Sequence, residues 1–290
     1  MQSERNTDSW LSNEGYNLIL RGLSKLEPQH RDQSTKDVLL VEKFTTEKLL
    51  ERYGLGSQTK TSEIPGIDQI FNLSPLAKEG KKRNLHLEIM GMPRSGKNTL
   101  LQMLDTLNNK AIICTFEPYA SIKNWKKTMP EDALTQEHLR LAATFGEFIS
   151  GEVLARRKGL EKGVLIIHNR GFTDHSVFTT ARLMYGEIPL KDYFNPEQGW
   201  IFRTSIAMDA VIILMQGIET STERQNTDTR PGKHLTPDFL TLLYEQYLRE
   251  IIELKNKGQR NLVVFDSSEG IENNFQKLRS ILSKISGKKI

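Results

Sequence analysis

The sequence predicts an α/β protein: a parallel sheet flanked by helices, preceded by a mostly helical N-terminal extension. Three observations predict it. From Asn84 onward, short apolar runs alternate with longer segments of helical periodicity. The first of those runs passes through a glycine-rich turn straight into a helix. Residues 1 to about 80 lack this alternation and carry helical spacing between polar stretches.

The elements follow in order. "EGYNLILRGLSKL" and "DVLLVEKFTTEKLLERYGLG" read as helices, with Thr45 or Thr46 as a cap and Gly54 as a stop. "TTEKLLERYGLGSQTKTSEI" has the outline of a helix-turn-helix, but its second helix has few apolar residues with which to dock, which favours a helical hairpin. The basic segment "AKEGKKRN" then links residues 1–80 to a second unit, residues 81–290. In that unit "LHLEIM", "AIICTF", "GVLIIH", "DAVIILM" and "NLVVF" read as strands. "TLLQMLDTL" reads as a helix with Leu100, Leu101, Leu104 and Leu107 on one face, and a long helix covers roughly 135–158. The clearest helix starts with Thr236 as cap and Pro237 in its first turn. Leu240, Leu243, Tyr247, Ile251 and Leu254 line one of its faces, and Lys255, Lys257 and Gly258 close it.

Composition narrows the function classes. The 290 residues are 37% hydrophobic and 26% charged, which suits a globular protein. No apolar run approaches the roughly 18 to 20 residues that span a bilayer. The start, "MQSERNTDSW", has no secretory apolar stretch, and the one cysteine, Cys114, excludes a disulfide framework, so a cytoplasmic location without membrane partners is expected. A net charge of +4 favours anionic ligands without the dense basic stripe of a dedicated nucleic-acid binder. Nucleic acid and a homodimer stay open as partners with no motif for either.

"GMPRSGKNTL" carries the main functional signal. A glycine loop between strand and helix curls its backbone N–H groups around phosphates, the helix presents its positive end, and a lysine reaches the outer phosphates. Gly91, Met92, Pro93, Arg94, Ser95, Gly96, Lys97, Asn98 and Thr99 are therefore the candidate nucleotide-binding residues of a Walker A loop. Asn98 stands where the pattern G-x-x-x-x-G-K-[ST] has a hydroxyl for magnesium, so Asn98 and Thr99 are the candidate metal ligands. The loop is similar to that of adenylate kinases, G-x-P-G-x-G-K-G-T, sharing Pro93, Gly96-Lys97 and Thr99.

Later motifs extend the resemblance. Twenty residues after Lys97 comes "FEPYASIKNW", where Glu117, Pro118 and Trp125 resemble the Glu-Pro and tryptophan of deoxynucleoside kinases. Thymidylate kinases have a related Arg-Glu-Pro. By that resemblance Glu117 orients the acceptor hydroxyl. "IIHNRG" is similar to the strand end that carries Asp-Arg or Glu-Arg in these kinases, with Arg170 as phosphate ligand and Asn169 in place of the acid. Asp174, one helical turn on, is placed either to supply the missing negative charge or, the slightly favoured reading, to serve as an ordinary charge at a helix N-terminus; His168 and His175 lack metal-ligand spacing. Arg224, Arg230 and Lys233 match the position of the family's lid arginines, and residues 266–268 would lie beside an adenine ring.

Residues 84–290 thus resemble the P-loop nucleoside and nucleotide kinases, deoxynucleoside and thymidylate kinases in particular. The resemblance implies a three-layer P-loop NTPase fold, ATP with Mg2+, and transfer of the γ-phosphate to a nucleoside, nucleotide or similar small acceptor. Lys97, Glu117, Arg170, Arg224 and Arg230 would be the catalytic residues of such a phosphotransferase. Tyr119, Trp125, Phe172 and Trp200 are aromatic residues able to stack on a base or to fill the core. Asn98 and Asn169, two amides on the metal side, motivate a second reading: a catalytically impaired nucleotide-binding regulator whose N-terminal part is an interaction or DNA-binding module. End phosphorylation of a polynucleotide is a third.

Overall fold

The computed structural model describes residues 69–71, 73–107, 109–115, 132–160, 162–188, 206–227 and 235–290. The predicted N-terminal helices, Glu117, Pro118, Tyr119, Trp125, Trp200, Arg230 and Lys233 lie outside the described residues.

The sheet is built from β1 (Gln69–Phe71), β2 (Leu85–Gly91), β3 (Ile112–Cys114), β4 (Leu165–Asn169), β5 (Ala210–Met215) and β6 (Leu262–Asp266). Their order across the sheet is β1-β6-β5-β2-β4-β3. Among the described residues five strands run parallel and β1 is antiparallel, paired with β6 at the edge. This strand is absent from the sequence reading, because three residues are too few to show a period. It is followed by the short helix α1 (Ala77–Gly80). Between them Leu76 is buried and its amide donates to the Ile285 carbonyl. The segment just before the basic linker therefore packs on the sheet.

The remaining helices are α2 (Lys97–Thr106), α3 (Ala133–Arg157), α4 (Phe172–Tyr185), α5 (Ile218–Asn226), α6 (Pro237–Asn256) and α7 (Ile271–Ser286). Alternation of side chains along each strand sends them into two cores. On one face Leu87, Ile89, Ile212, Leu214, Val263 and Phe265 meet Leu100 and Leu104 of α2 and Leu278 and Leu282 of α7. On the other, Met90, Val211, Ile213 and Val264 meet Phe172 and Val177 of α4 and Phe239, Leu243 and Tyr247 of α6. Helices cover both faces, so the central strands are buried on both: every residue of β4 and β5 is buried, and β5 is apolar throughout.

Local signals explain the helix ends. The Asp132 carboxylate accepts from the Thr135 amide to start α3, and the Thr236 hydroxyl accepts from the Phe239 amide to start α6. Two expectations change in detail. Leu107 is 39% exposed, because α2 ends at Thr106 and the following residue turns off the buried face. Ile251 is only half-buried at the edge of the α6 face.

The parallel order puts the carboxyl ends of β2 and β4 side by side, with Ile89 opposite Asn169. β2 sits between β4 and β5, and successive connections leave it in opposite directions. Such a reversal opens a crevice above the strand ends.

Candidate phosphate-binding site

Gly91 ends β2 in register with Leu214 of β5. Its φ is +135°, and a Cβ there would stand 2.0 Å from the Leu214 carbonyl oxygen. Only glycine allows the two strands to approach and the chain to turn out of the sheet. The Met92 amide then donates to that same Leu214 carbonyl at 3.0 Å. Gly96, at φ +85°, sets the start of α2.

Lys97 is almost fully buried at the first position of α2. Its Nζ donates to the carbonyls of Gly91 and Met92, both at 2.7 Å, and to Ser95 Oγ at 3.1 Å. The loop thus holds its own lysine at its mouth. From the other side, Gln216 Nε2 donates to the Pro93 carbonyl at 2.8 Å and to Ser221 Oγ at 2.8 Å. Arg94 Nε donates to Gln225 Oε1 at 2.9 Å, and Arg224 Nη1 donates to the Arg94 carbonyl at 3.1 Å and Gln216 Oε1 at 2.6 Å. The loop is therefore tied along its outer edge to α5, which carries Arg224. Arg94 and Arg170 both have left-handed backbones, φ +65° and +62°. Strain of this kind at non-glycine residues persists where the surroundings enforce it, commonly at functional sites.

Beneath the loop lies a buried acid network that the sequence reading missed. Glu88 of β2 is fully buried, and its carboxylate accepts from the amides of Gly171 (3.0 Å), Thr173 (3.1 Å) and Asp174 (2.7 Å). Glu88, not Asp174, caps α4. Burial pushes Glu88 up to about 7, against the amides that favour its charge. Asp174 is 2% exposed and points inward instead of to solvent: its carboxylate accepts from Tyr247 Oη at 2.5 Å and Arg170 Nη1 at 3.2 Å. Tyr247 Oη also lies 2.8 Å from the Gly91 carbonyl, linking α6 to the loop. The one signal for Glu88 was a carboxylate inside an otherwise apolar strand.

A cavity of about 690 Å³ opens from this loop. Its walls include Pro93 to Thr99, Arg170, Asp174, Phe178 and Arg224, and at the far side Glu137, Arg140 and Arg182. Arg170 also lies over the Phe178 ring, 4.8 Å from its centroid. Glu137 is fully buried on α3 and pairs with Arg140, with Arg182 Nη1 of α4 at 2.7 Å and with Thr179 Oγ1 at 3.1 Å. Burial and the neighbouring Arg182 charge push Arg140 below its ordinary range. Two guanidinium groups here share one buried carboxylate. Around the whole cavity six basic side chains face two acidic ones. Such a surplus of positive charge fits a polyanion.

Of the expected site residues, the structure brings together the loop, Arg170 and Arg224 around this cavity. Phe172 is buried in the core, away from any stacking role. His168 is also buried, with its Nε2 2.9 Å from His86 Nδ1, and burial lowers it to about 3. Cys114 is pushed up to about 12 by burial and forms no reactive thiolate.

Asn98 and Asn169 meet. Asn169 Nδ2 donates to Asn98 Oδ1 at 2.8 Å, so the two positions where a hydroxyl and a carboxylate would hold magnesium instead bind each other. Mg2+ takes hard oxygen ligands at about 2.0–2.1 Å, commonly with a carboxylate among them. The amide pair is a poor match, and no cluster of three metal-ligating side chains occurs among the described residues.

No family model matches the sequence, and no curated protein matches it. Among the solved structures that do match is the thymidylate kinase of Candida albicans, with a TM-score of 0.50 and 17% identity over 69% of this chain and 92% of that one. The likeness establishes the fold: a five-stranded parallel sheet flanked by helices, as in that P-loop α/β protein. No helix of the described residues is long and apolar enough to cross a membrane.

Proposed function

We propose that this chain is a nucleotide kinase, moving the γ-phosphoryl group of ATP to a nucleoside monophosphate. In the transfer the bond between the γ-phosphorus and the β,γ-bridging oxygen breaks, ADP leaves with that oxygen, and a phosphate oxygen of the acceptor forms the new bond. The loop backbone and Lys97 bind the donor phosphates; Arg170 and Arg224 stabilise the group in transit. Glu117 and Arg230 take the acceptor-orienting and lid roles that the family resemblance gives them. ATP carrying Mg2+ is the donor that this fold generally uses.

One observation carries the choice of acceptor. Arg140 and Arg182 form a second cationic centre in the same cavity as the loop, held on the shared Glu137 carboxylate, with Glu187 beside Arg182 at 3.5 Å. Six basic side chains against two acidic ones line the cavity, a surplus that an anionic acceptor offsets and a neutral nucleoside does not. The test is transfer from labelled ATP across matched nucleosides and monophosphates. Arg182→Ala is expected to raise the acceptor KM about tenfold or more, the loss of one charge-assisted hydrogen bond. Lys97→Ala is expected to abolish donor binding. Transfer to nucleosides alone would overturn the acceptor assignment, and no transfer to any acceptor would overturn the kinase.

The Asn98–Asn169 pair favours a second reading, a nucleotide-binding regulator without turnover. Tight ATP binding with no transfer in the same assay is its signature.

A further inference from the structure

We infer that this chain binds the polyphosphate of its nucleotide without a divalent cation held by the protein, using arginine and lysine charge in the metal's place. The inference rests on the proposed binding of ATP by the loop. It does not depend on phosphate transfer.

The donor geometry is the first argument. Asn98 Oδ1 already accepts a hydrogen bond from Asn169 Nδ2, and Asn169 Oδ1 is buried without a hydrogen-bond partner among the described residues. Reversing one amide alone would set two oxygens or two NH2 groups against each other; reversing both restores the same bond with donor and acceptor exchanged. In either assignment one amide oxygen is engaged by its neighbour and one NH2 group belongs to the pair. A cation entering there would meet a positively polarised N–H beside two neutral amide oxygens, with no charged ligand between them.

Asp174 is the described carboxylate that lines the cavity nearest in sequence to Asn169, and it is committed elsewhere. It is buried at 2% exposure against Tyr247 Oη and the Arg170 guanidinium. Drawing it to a metal would strand both partners inside the protein, at a cost that buried unpaired groups make prohibitive. The two neutral amides bring no charge of their own. An ordinary site sets a hydroxyl and a carboxylate against the metal; here a pair of bonded dipoles occupies those two positions, and Thr99, which also lines the cavity, adds a hydroxyl but no charge.

The cation complement of the cavity is the second argument. Arg94, Lys97, Arg170 and Arg224 line its loop side. Arg170 follows Asn169 directly and is held in a left-handed backbone conformation, which turns the chain at the strand end. These fixed charges do for a tetra-anionic ATP what Mg2+ does in a site with hard ligands: they neutralise it where it lies. The ligand class this site selects is therefore the free nucleoside polyphosphate anion as readily as its magnesium complex.

The experiment is calorimetric titration of the full chain with ATP in excess EDTA and in excess Mg2+. The expected dissociation constants agree within about threefold, since a ligand shift reflects only differential binding. The double variant Asn98→Ser, Asn169→Asp is expected to bind ATP at least about tenfold more tightly in Mg2+ than in EDTA, the scale on which metal-supporting groups act. Should that variant fail to fold, the wild type supplies the same quantity from the other side of the cycle. Electron paramagnetic resonance of free Mn2+ then compares Mn2+ affinity for ATP alone and for ATP on the protein. Equal affinities support the inference. Wild-type ATP binding more than tenfold tighter in Mg2+, or Mn2+ held tenfold tighter by the protein complex, overturns it. Absence of ATP binding in both buffers overturns the proposed nucleotide site and the inference together, whereas metal-dependent binding overturns the inference alone.

Discussion

The two ends of the cavity are made of different materials. The loop end is backbone: carbonyls, amides and glycine torsions over ten consecutive residues, braced by Gln216 at the end of β5 and by Arg224 of α5. The far end is side chain: Glu137 and Arg140 from α3 with Arg182 and Thr179 from α4, locked by charge. Backbone sites are specified by what a residue lacks, and side-chain sites by what it carries. The two should therefore fail in different ways.

The largest effect is expected at the backbone end. Gly91→Ala sets a methyl group 2.0 Å from the Leu214 carbonyl oxygen, at a torsion that alanine rarely adopts. We expect a loss of about 4 kcal/mol or more, seen in chemical denaturation as a collapsed midpoint. If the protein retains its stability, the contrast drawn above is wrong. Glu137→Gln comes next. It leaves Arg140 and Arg182 without their shared charge, at a cost of about 3 kcal/mol. Raised salt should offset little of this, because the group is buried.

Glu88→Gln sharpens the comparison through pH. The folded protein raises this carboxyl to about 7, so the native state holds its proton where the unfolded chain has released it. The stability it contributes is fully present below the unfolded value near 4.5 and is lost as pH rises through about 7. The difference in melting temperature between wild type and variant should fall across that window and level off above it. A flat difference curve would sink the assignment. Thr236→Ala is the control outside both ends, removing the α6 cap and a hydrogen bond with Tyr185 Oη for about 1–2 kcal/mol, with ATP binding unchanged.

This division also explains what could be read from the sequence. A loop whose residues are neighbours in the chain shows itself as a motif, and Thr236 and Pro237 announce α6 in the same local way. Glu137 and Arg140 lie three apart on a helix, spaced like an ordinary surface ion pair. Nothing in the sequence says that Arg182, on another helix, joins them. Asn98 and Asn169 were each visible as a departure from a pattern, but they are 71 residues apart, and only the β2–β4 register makes two losses into one bond. Glu88 looked like a polar residue in a strand because its partners are amides, which no side-chain alphabet records.

Gly91 has a meaning separate from its neighbours in the loop. Its missing side chain is demanded by Leu214, a residue of the sheet, and no phosphate enters that requirement. A chain of this fold with no phosphate to bind would still have to keep that glycine to assemble its strands, and Lys97 would still tie the Gly91 and Met92 carbonyls together. The first letter of the motif testifies to architecture before it testifies to any ligand.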